Sequence, residues 1–401
     1  MQNVSSSNSQ AVNVPKLRFP GFTDEWSISS FSETFSFLSN NTLSRAELTD
    51  SGEVQNIHYG DILTKFGDVV DCLKEEIPFV ADKSKLGSKI SYLQNGDVII
   101  ADTAEDDAVG KATEILNIQF PVVSGLHTMA CRPQFKFEPR YLGYYINSAC
   151  YHNQLYPFMQ GVKVTSVSKG NIALTEIRYP ANNEQHKIAS MIALVDARIE
   201  KQRTLIESLK LYKKGVLNKL FSNFDNMEEY TLGELCNITT GKLDANAMVS
   251  NGAFRFYTCA KEYYYIDKYA FDTEALLISG NGANVGYIHY FNGKFNAYQR
   301  TYVLTDFCKN INYIKYFLEK NLHDRIRTEK NEGNTPYIVL STLTDMKIWV
   351  PQNSEEQKKI AEIFTSIDNL ILLQTEKIRK LNFQRKGLIQ QLFPSLEEVI
   401  K

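Results

Sequence analysis

The chain has 401 residues, with 44 Lys and Arg against 46 Asp and Glu, and 43% of it is hydrophobic. That length exceeds one typical core and suits two or three domains, while a net charge near −2 excludes a uniformly basic nucleic-acid binder. No apolar run approaches the roughly 20 residues that cross a bilayer, and the start lacks the basic and apolar pattern of a signal peptide, so a cytoplasmic protein is expected.

Residues 1–16 read as a disordered tail. The entry Leu17-Arg18-Phe19-Pro20-Gly21-Phe22 opens a first globule over 17–179. Apolar runs at Asp97-Val98-Ile99-Ile100 and Phe120-Pro121-Val122-Val123 predict strands between Gly, Asn and Asp turns. A helix is predicted over 139–150, where Leu142, Tyr145 and Ile146 share a face and Pro139 sits near the first turn. A polar, glycine-bounded loop over 159–171 carries Lys163 and Lys169. Ile177 and Pro180 lead into a long helix over 180–222. A second globule over 223–350 repeats this order. Glu228-Glu229-Tyr230 answers Asp24-Glu25-Trp26, and Leu276-Leu277-Ile278 answers Val98-Ile99-Ile100. Tyr313-Ile314-x-Tyr316-Phe317-Leu318 answers Tyr141-Leu142-x-Tyr144-Tyr145-Ile146. Ile348 and Pro351 then precede a second long helix and a tail over 351–401. Outside these anchors the globules align poorly, so one frame carries two different working surfaces. They suit two ligands, or two halves of one asymmetric ligand.

The helices are the strongest signal. Stretches 184–221 and 356–393 align without a gap at an offset of about 172 residues, with roughly 14 of 38 positions identical. In the first, Ile188, Ile192, Val195, Ile199, Gln202, Ile206, Leu209, Lys213, Val216 and Leu220 are spaced alternately four and three apart. In the second, Ile360, Phe364, Ile367, Ile371, Gln374, Ile378, Leu381, Arg385, Leu388 and Leu392 do the same. That is a coiled-coil seam, broken at matching places by a glutamine and a base. The fold class is α+β: two mixed globules alternate with two long helices that pair as an antiparallel coiled coil, an internal repeat of pseudo-two-fold character. Gln202 and Gln374 are expected within about one helical turn of each other, since each sits at its helix centre. The two helical stretches carry about +7, leaving about −9 for the rest.

No catalytic constellation is present. The chain lacks a phosphate-binding P-loop, a zinc-protease helix, a nucleophile elbow and a dinucleotide fingerprint. It also lacks the Asn-Pro-Pro-Tyr type motif expected of an adenine methyltransferase. Asp102, Glu105, Asp106 and Asp107 could hold a metal or serve acid–base chemistry, or form a solvated loop. The run from Gly280 to Gly286 could cradle a phosphate or form a tight turn. Cys72, Cys131, Cys150, Cys236, Cys259 and Cys308 show no paired spacing and read as free thiols. The six histidines lack metal-ligand spacing. His58 suits a DNA contact or a hydrogen-bonded strand end. Gln299 and Arg300, flanked by Tyr298 and Tyr302, suit adenine, guanine and phosphate contacts or ordinary strand-end residues.

The Pro…Glu-Gln-x-Lys-Ile-Ala openings at Pro180 and Pro351, the run Ile57-His58-Tyr59-Gly60-Asp61-Ile62 and the entry at Leu17 resemble the DNA-specificity subunits of type I restriction–modification systems. The resemblance runs from about residue 17 to the end. It implies that each globule is a target recognition domain reading one half of a bipartite, asymmetric site in double-stranded DNA. It implies that the helices are spacers that dock two modification (methyltransferase) subunits. Those subunits use S-adenosylmethionine, and restriction/translocase subunits use ATP and Mg. This chain would hold no cofactor or metal and catalyse nothing. Residue type and loop position then single out Arg45, His58, Lys111, Lys163, Lys169, Lys242, Arg255, Asn281, Asn284, Gln299 and Arg300 as DNA contacts. The alternative is a non-catalytic scaffold whose globules bind proteins, as the low net charge would allow.

Overall fold

Apolar side chains at seam spacing, with no interior proline, build two helices of equal length. They are Asn182–Leu220 and Ser354–Leu392, 39 residues each. The structure is a computed structural model and describes residues 13–105, 108–161, 164–222, 226–328 and 336–394. Packing divides the chain into two units, residues 1–201 with 378–401, and residues 202–377. Each unit joins one globule to part of both helices. No helix among the described residues is long and apolar enough to cross a membrane.

In the first unit a five-stranded sheet runs in the order Phe35–Phe37, Thr128–Pro133, Val98–Ala101, Ala112–Leu116, Val69–Asp71. Its central strands are buried throughout, and the two-residue period of a strand sorts their side chains between two cores. Val98 and Ile100 face a core of Trp26, Phe31, Tyr141, Tyr145, Ile188, Ile192, Leu392 and Phe393. Ile99 and Ala101 face another with Ile57, Ile62 and Phe66. A four-stranded sheet lies alongside in sequence: Val122–Ser124, Gln55–Ile57, Phe79–Val80, Leu48–Thr49. Residues 1–12 and 395–401 of the expected tails lie outside the described residues. Asn13 and Val14 do not behave as tail: Arg178 donates to Asn13 Oδ1 at 3.0 Å, and Val14 packs on the core.

The second unit has one six-stranded sheet, ordered Asn237–Thr240, Thr301–Thr305, Phe271–Ser279, Ile288–Ala297, Phe254–Tyr257, Tyr264–Ile266. Leu276, Ile278 and Leu304 pack in one core with helix Ile311–Thr328, Leu217, Phe221 and Phe364.

The frame repeats contact by contact. Strand Ser27–Ser30 pairs antiparallel with Glu176–Tyr179, as Met227–Thr231 pairs with Lys347–Pro351. Each first strand runs into a short helix closed by a capping box, Ser30 with Glu33 and Thr231 with Glu234. The second strand of each pair leads into the long helix. There the glutamine of each Glu-Gln-x-Lys-Ile-Ala motif is buried and does the same work twice. Gln185 donates to Pro180 O at 2.9 Å and accepts from Glu138 N at 3.1 Å. Gln357 donates to Pro351 O at 2.8 Å and accepts from Asn310 N at 3.2 Å. Tyr141 and Tyr313 donate to the carbonyls of Arg178 and Trp349.

The helices pair antiparallel. Ile188 and Ile192 share a core with Leu392 and Phe393, and Phe221 stacks on Phe364 with ring centroids 5.8 Å apart. The start of each helix thus meets the end of the other. The seam bases complete the pattern. Arg385 bonds Asp196 and Asp68 in the first unit. Lys213 lies 2.7 Å from Asp368 and 2.8 Å from Glu319 in the second. Burial pushes the Lys213 ammonium down, but Glu319 and Asp368 more than offset it and hold it above its ordinary value. Lys213 and Arg385, like Asp196 and Asp368, are repeat equivalents, so both ion pairs obey one register. Carried along the second unit, that register sets Gln374 opposite Glu207, about five residues or some 7 Å of rise from Gln202. The glutamines are therefore more than one turn apart along the axis, and Gln202 Oε1 is buried with no hydrogen-bond partner. The ion pairs set the register and the glutamines do not.

Two expected elements differ. The helix over 139–150 is two pieces, Tyr141–Ile146 and Ala149–His152. The Asn147 side chain breaks it by accepting from Ala112 N and donating to Ala112 O and Gly143 O. The loop over 159–171 contains strand Thr165–Ser166, paired with Thr103–Ala104, and a helix Lys169–Ala173 capped by Ser168.

Gln185→Ala and Gln357→Ala should each cost about 1–3 kcal/mol, because each strands a buried carbonyl and a buried N–H. Urea unfolding of the two variants checks this, and a loss confined to one would break their equivalence. Glu114 accepts from Arg140 N at 2.7 Å and Gly143 N at 2.9 Å. Burial pushes its carboxyl up to about 7, although those bonds favour the charged form. The folded chain therefore binds this proton before the unfolded chain does, and the Glu114 contribution grows as pH falls from about 7 toward the ordinary 4.5. Glu114→Gln should flatten that part of the stability profile, read as the difference between variant and parent midpoints at pH 7 and pH 5.

Candidate nucleic-acid interface

Three of the expected contacts in the first unit converge on one short helix, Tyr59–Thr64. His58 is its N-cap: Nδ1 accepts from Gly60 N at 3.1 Å, and the ring lies 4.7 Å from that of Tyr59. Burial lowers the His58 pKa, and nearby Arg45 and His127 add to this against the pull of Asp61. Lys111 serves the other end, donating to the Leu63 and Phe66 carbonyls at 3.1 Å each. Burial pushes its ammonium down. Arg45 pairs with Asp61 at 2.6 Å while most of its own side chain stays exposed. His58 and Lys111 thus hold the protein's own backbone.

Beside this helix lies a polar cleft of about 410 Å³, lined by Asp102, Thr103, His127, Gln160, Ser166 and Asn171 among others. Tyr59 meets the His127 ring edge-on at 5.3 Å. His127 sits in a left-handed backbone conformation at φ 51°, with Nδ1 3.4 Å from Asp102. Asp102 also accepts from the Thr103 hydroxyl at 2.7 Å. Lys169 opens the helix beside this cleft, with Nζ 5.7 Å from the Phe37 ring centre. Lys163, Asp106 and Asp107 lie outside the described residues. Sequence reasoning missed His127, Tyr59 and Gln160. They come together only through sheet pairing, and a histidine two residues after Gly125 is the one local hint.

In the second unit five expected contacts gather at one end of the six-stranded sheet. Gln299 N donates to Leu243 O at 2.8 Å, which places the 298–300 turn against the segment bearing Lys242. Gly280 N donates to Arg300 O at 2.9 Å. A Cβ on Gly280 would stand 2.4 Å from that oxygen, so the loop requires glycine there. Asn284 donates its side-chain amide to Cys259 O at 3.1 Å, and Asn281 bridges Tyr337 through the backbone. Lys242, Gln299 and Arg300 are exposed. Arg255 lies apart, on strand Phe254–Tyr257.

Arg, Lys, Gln and Asn side chains are the residue types whose donors can reach base edges and phosphates. Among the described residues no group of three or more His, Cys, Asp or Glu side chains could hold a metal ion. The six cysteines are free.

The frame is built twice, and each copy carries its own, unlike polar surface. A model of the type I restriction modification DNA specificity domain matches residues 23–211 and again 225–382, and the chain belongs to that family. The specificity subunit of the Escherichia coli EcoDI type I restriction enzyme is 43% identical over 132 residues, which are 33% of this chain and 29% of that protein. The chain thus spans less than a third of this relative's length. The crystal structure of a type I S subunit from M. genitalium gives a TM-score of 0.59 at 16% identity, covering 95% of this chain and 99% of that one. A structure from work on complex assembly and conformational transition of the type I R-M system gives 0.51 at 16% identity, covering 95% and 100%. These likenesses establish the shared α+β fold.

His58→Asn keeps an N-cap acceptor and should leave stability nearly unchanged, whereas His58→Ala should lose about 1 kcal/mol. Urea midpoints of the two variants measure the cap directly. Equal losses would mean the ring matters through stacking on Tyr59 instead.

Proposed function

We propose that the chain is the sequence-reading, non-catalytic subunit of a cytoplasmic type I restriction–modification complex. Each globule reads one half of a bipartite, asymmetric DNA site. The helix pair spaces the halves and docks two modification subunits, which carry S-adenosylmethionine and methylate adenine. Restriction subunits using ATP and Mg complete the complex. The carrying observation is the frame built twice around Gln185 and Gln357 beneath two unlike surfaces. A pair of equal frames suits two half-sites, and unlike surfaces suit different half-site sequences.

The charge balance supports a division of labour. With a net charge near −2, this chain alone should bind DNA weakly, and its partners should supply most phosphate contacts. A gel shift with and without modification subunits tests this. Strong retention of a protein ligand with no DNA binding in either case would favour the scaffold reading instead.

Mapping methylated adenines in cells carrying the system should give one motif with two unlike halves and a gap of roughly 5–8 base pairs. Replacing residues 23–178 with those of another family member should change one half only, and a change in both would overturn independent reading. Inserting a heptad into both helices adds about 10 Å while keeping the seam in phase. The methylated gap should then grow by about three base pairs. An unchanged gap would remove the spacing role.

A further inference from the structure

The six-stranded sheet of the second unit buries one face beneath helix Ile311–Thr328. Its other face carries a smaller cluster that includes Tyr257, Leu277, Phe295 and Val303. Arg255 lies two residues before Tyr257 and therefore on this second face. Its guanidinium carbon is 4.3 Å from the Tyr263 ring centre and 4.6 Å from that of Phe291. One N–H reaches the Tyr257 hydroxyl, at 3.4 Å.

No carboxylate pairs with Arg255 among the described residues. Arg18, Arg45, Arg132, Arg178, Arg327 and Arg385 all reach an Asp or Glu. Arg255 is partly buried as well. A partly buried cation without a counter-charge is costly unless its donors find acceptors. Ring faces attract the flat of the guanidinium but use none of its N–H groups. Most of its donors therefore point along the guanidinium plane without partners. Tyr263, Tyr264 and Tyr265 stand next to it in sequence and space, 36–43% exposed.

We infer that Arg255 reads a guanine in the half-site of the second globule, donating two parallel N–H bonds to O6 and N7. This deepens the DNA-reading proposal and rests on it. Arginine gripped by rings loses little further freedom on binding, so its fork is pre-oriented for a planar pair of acceptors. A phosphate track would gather several free cations. Here the neighbours are neutral tyrosines, and the nearby Lys294 faces Asp272 at 4.0 Å.

The test uses the full complex with its modification subunits, mapping methylated adenines for the parent, Arg255→Ala and Arg255→Lys. The parent half-site assigned to residues 223–350 should contain a G·C pair. Arg255→Ala should lose discrimination there by about tenfold or more, with every other position and the other half-site unchanged. Arg255→Lys keeps the charge, lacks the fork and should relax the same position. Should the alanine variant fail to fold, as read by its unfolding midpoint, the lysine variant decides. A uniform loss of methylation with a shallower salt dependence would assign Arg255 to a phosphate and overturn the inference. An unchanged motif and rate, or a half-site without guanine, would overturn it too. Methylation of a bipartite site by the parent, in the same experiment, keeps the general reading separate from this residue's role.

Discussion

The molecule depends on two equivalent ion pairs, Arg385 with Asp196 and Lys213 with Asp368. An apolar seam with a seven-residue period tolerates slippage by a heptad, because each shifted register still matches apolar to apolar. A partly buried charge does not, since a slip leaves it without its partner and costs several kcal/mol, about 3–5 where burial is deep. Each base also reaches past the helices to its globule, through Asp68 in one unit and Glu319 in the other. The side chain that fixes helix register therefore also fixes where the globule attaches. Tyr144 and Tyr316 reinforce the same aspartates from the globule side, at 2.8 Å and 2.9 Å.

Once that attachment is fixed, the rest of each globule is released from structural duty. At the start of each long helix the frame's hydrogen bonds are made by repeated residues, Gln185 and Gln357, on the two prolyl carbonyls. Loops beyond the sheets then answer only to their own turn geometry. One globule has used that freedom to set His127 against Asp102 in a polar cleft. The other has grown a tyrosine-rich edge around Arg255. Unlike surfaces on like supports follow from where the hydrogen bonds of the frame are spent.

The sequence was most legible where periodicity governs structure. Seam spacing foretold both helices and their pairing, and Leu276-Leu277-Ile278 and Val98-Ile99-Ile100 proved to be central strands. It was least legible where one side chain meets a distant backbone. Lys111 looks like any loop cation until the fold brings it to Leu63 and Phe66. His58 looks like a surface contact until the helix start at Tyr59 makes it a cap. The break at Asn147 needed knowledge of Ala112, a strand residue far away in the chain. The entry motif shows the converse: Arg18 forks onto Glu184 at 2.8 Å to both oxygens, so two separately recognisable motifs are halves of one contact.

Charge gives the two surfaces a common interpretation. In a chain with nearly balanced charge, Arg18, Arg45, Arg132, Arg178, Arg327 and Arg385 each reach a carboxylate of the chain itself. The cations left over are then informative in a way they would not be on a basic protein. Lys242 and Arg300 are exposed at a loop end, and an exposed cation can meet a phosphate in any sequence context. Arg255 is gripped by the Tyr263 and Phe291 rings, and rigidity serves discrimination more than attraction. Attraction needs only charge within a Debye length, about 10 Å at 0.1 M salt, whereas discrimination needs donors whose directions cannot relax toward the wrong base. A subunit that places its rigid donors on bases and leaves most phosphates to its partners would bind weakly alone and select strongly within the complex.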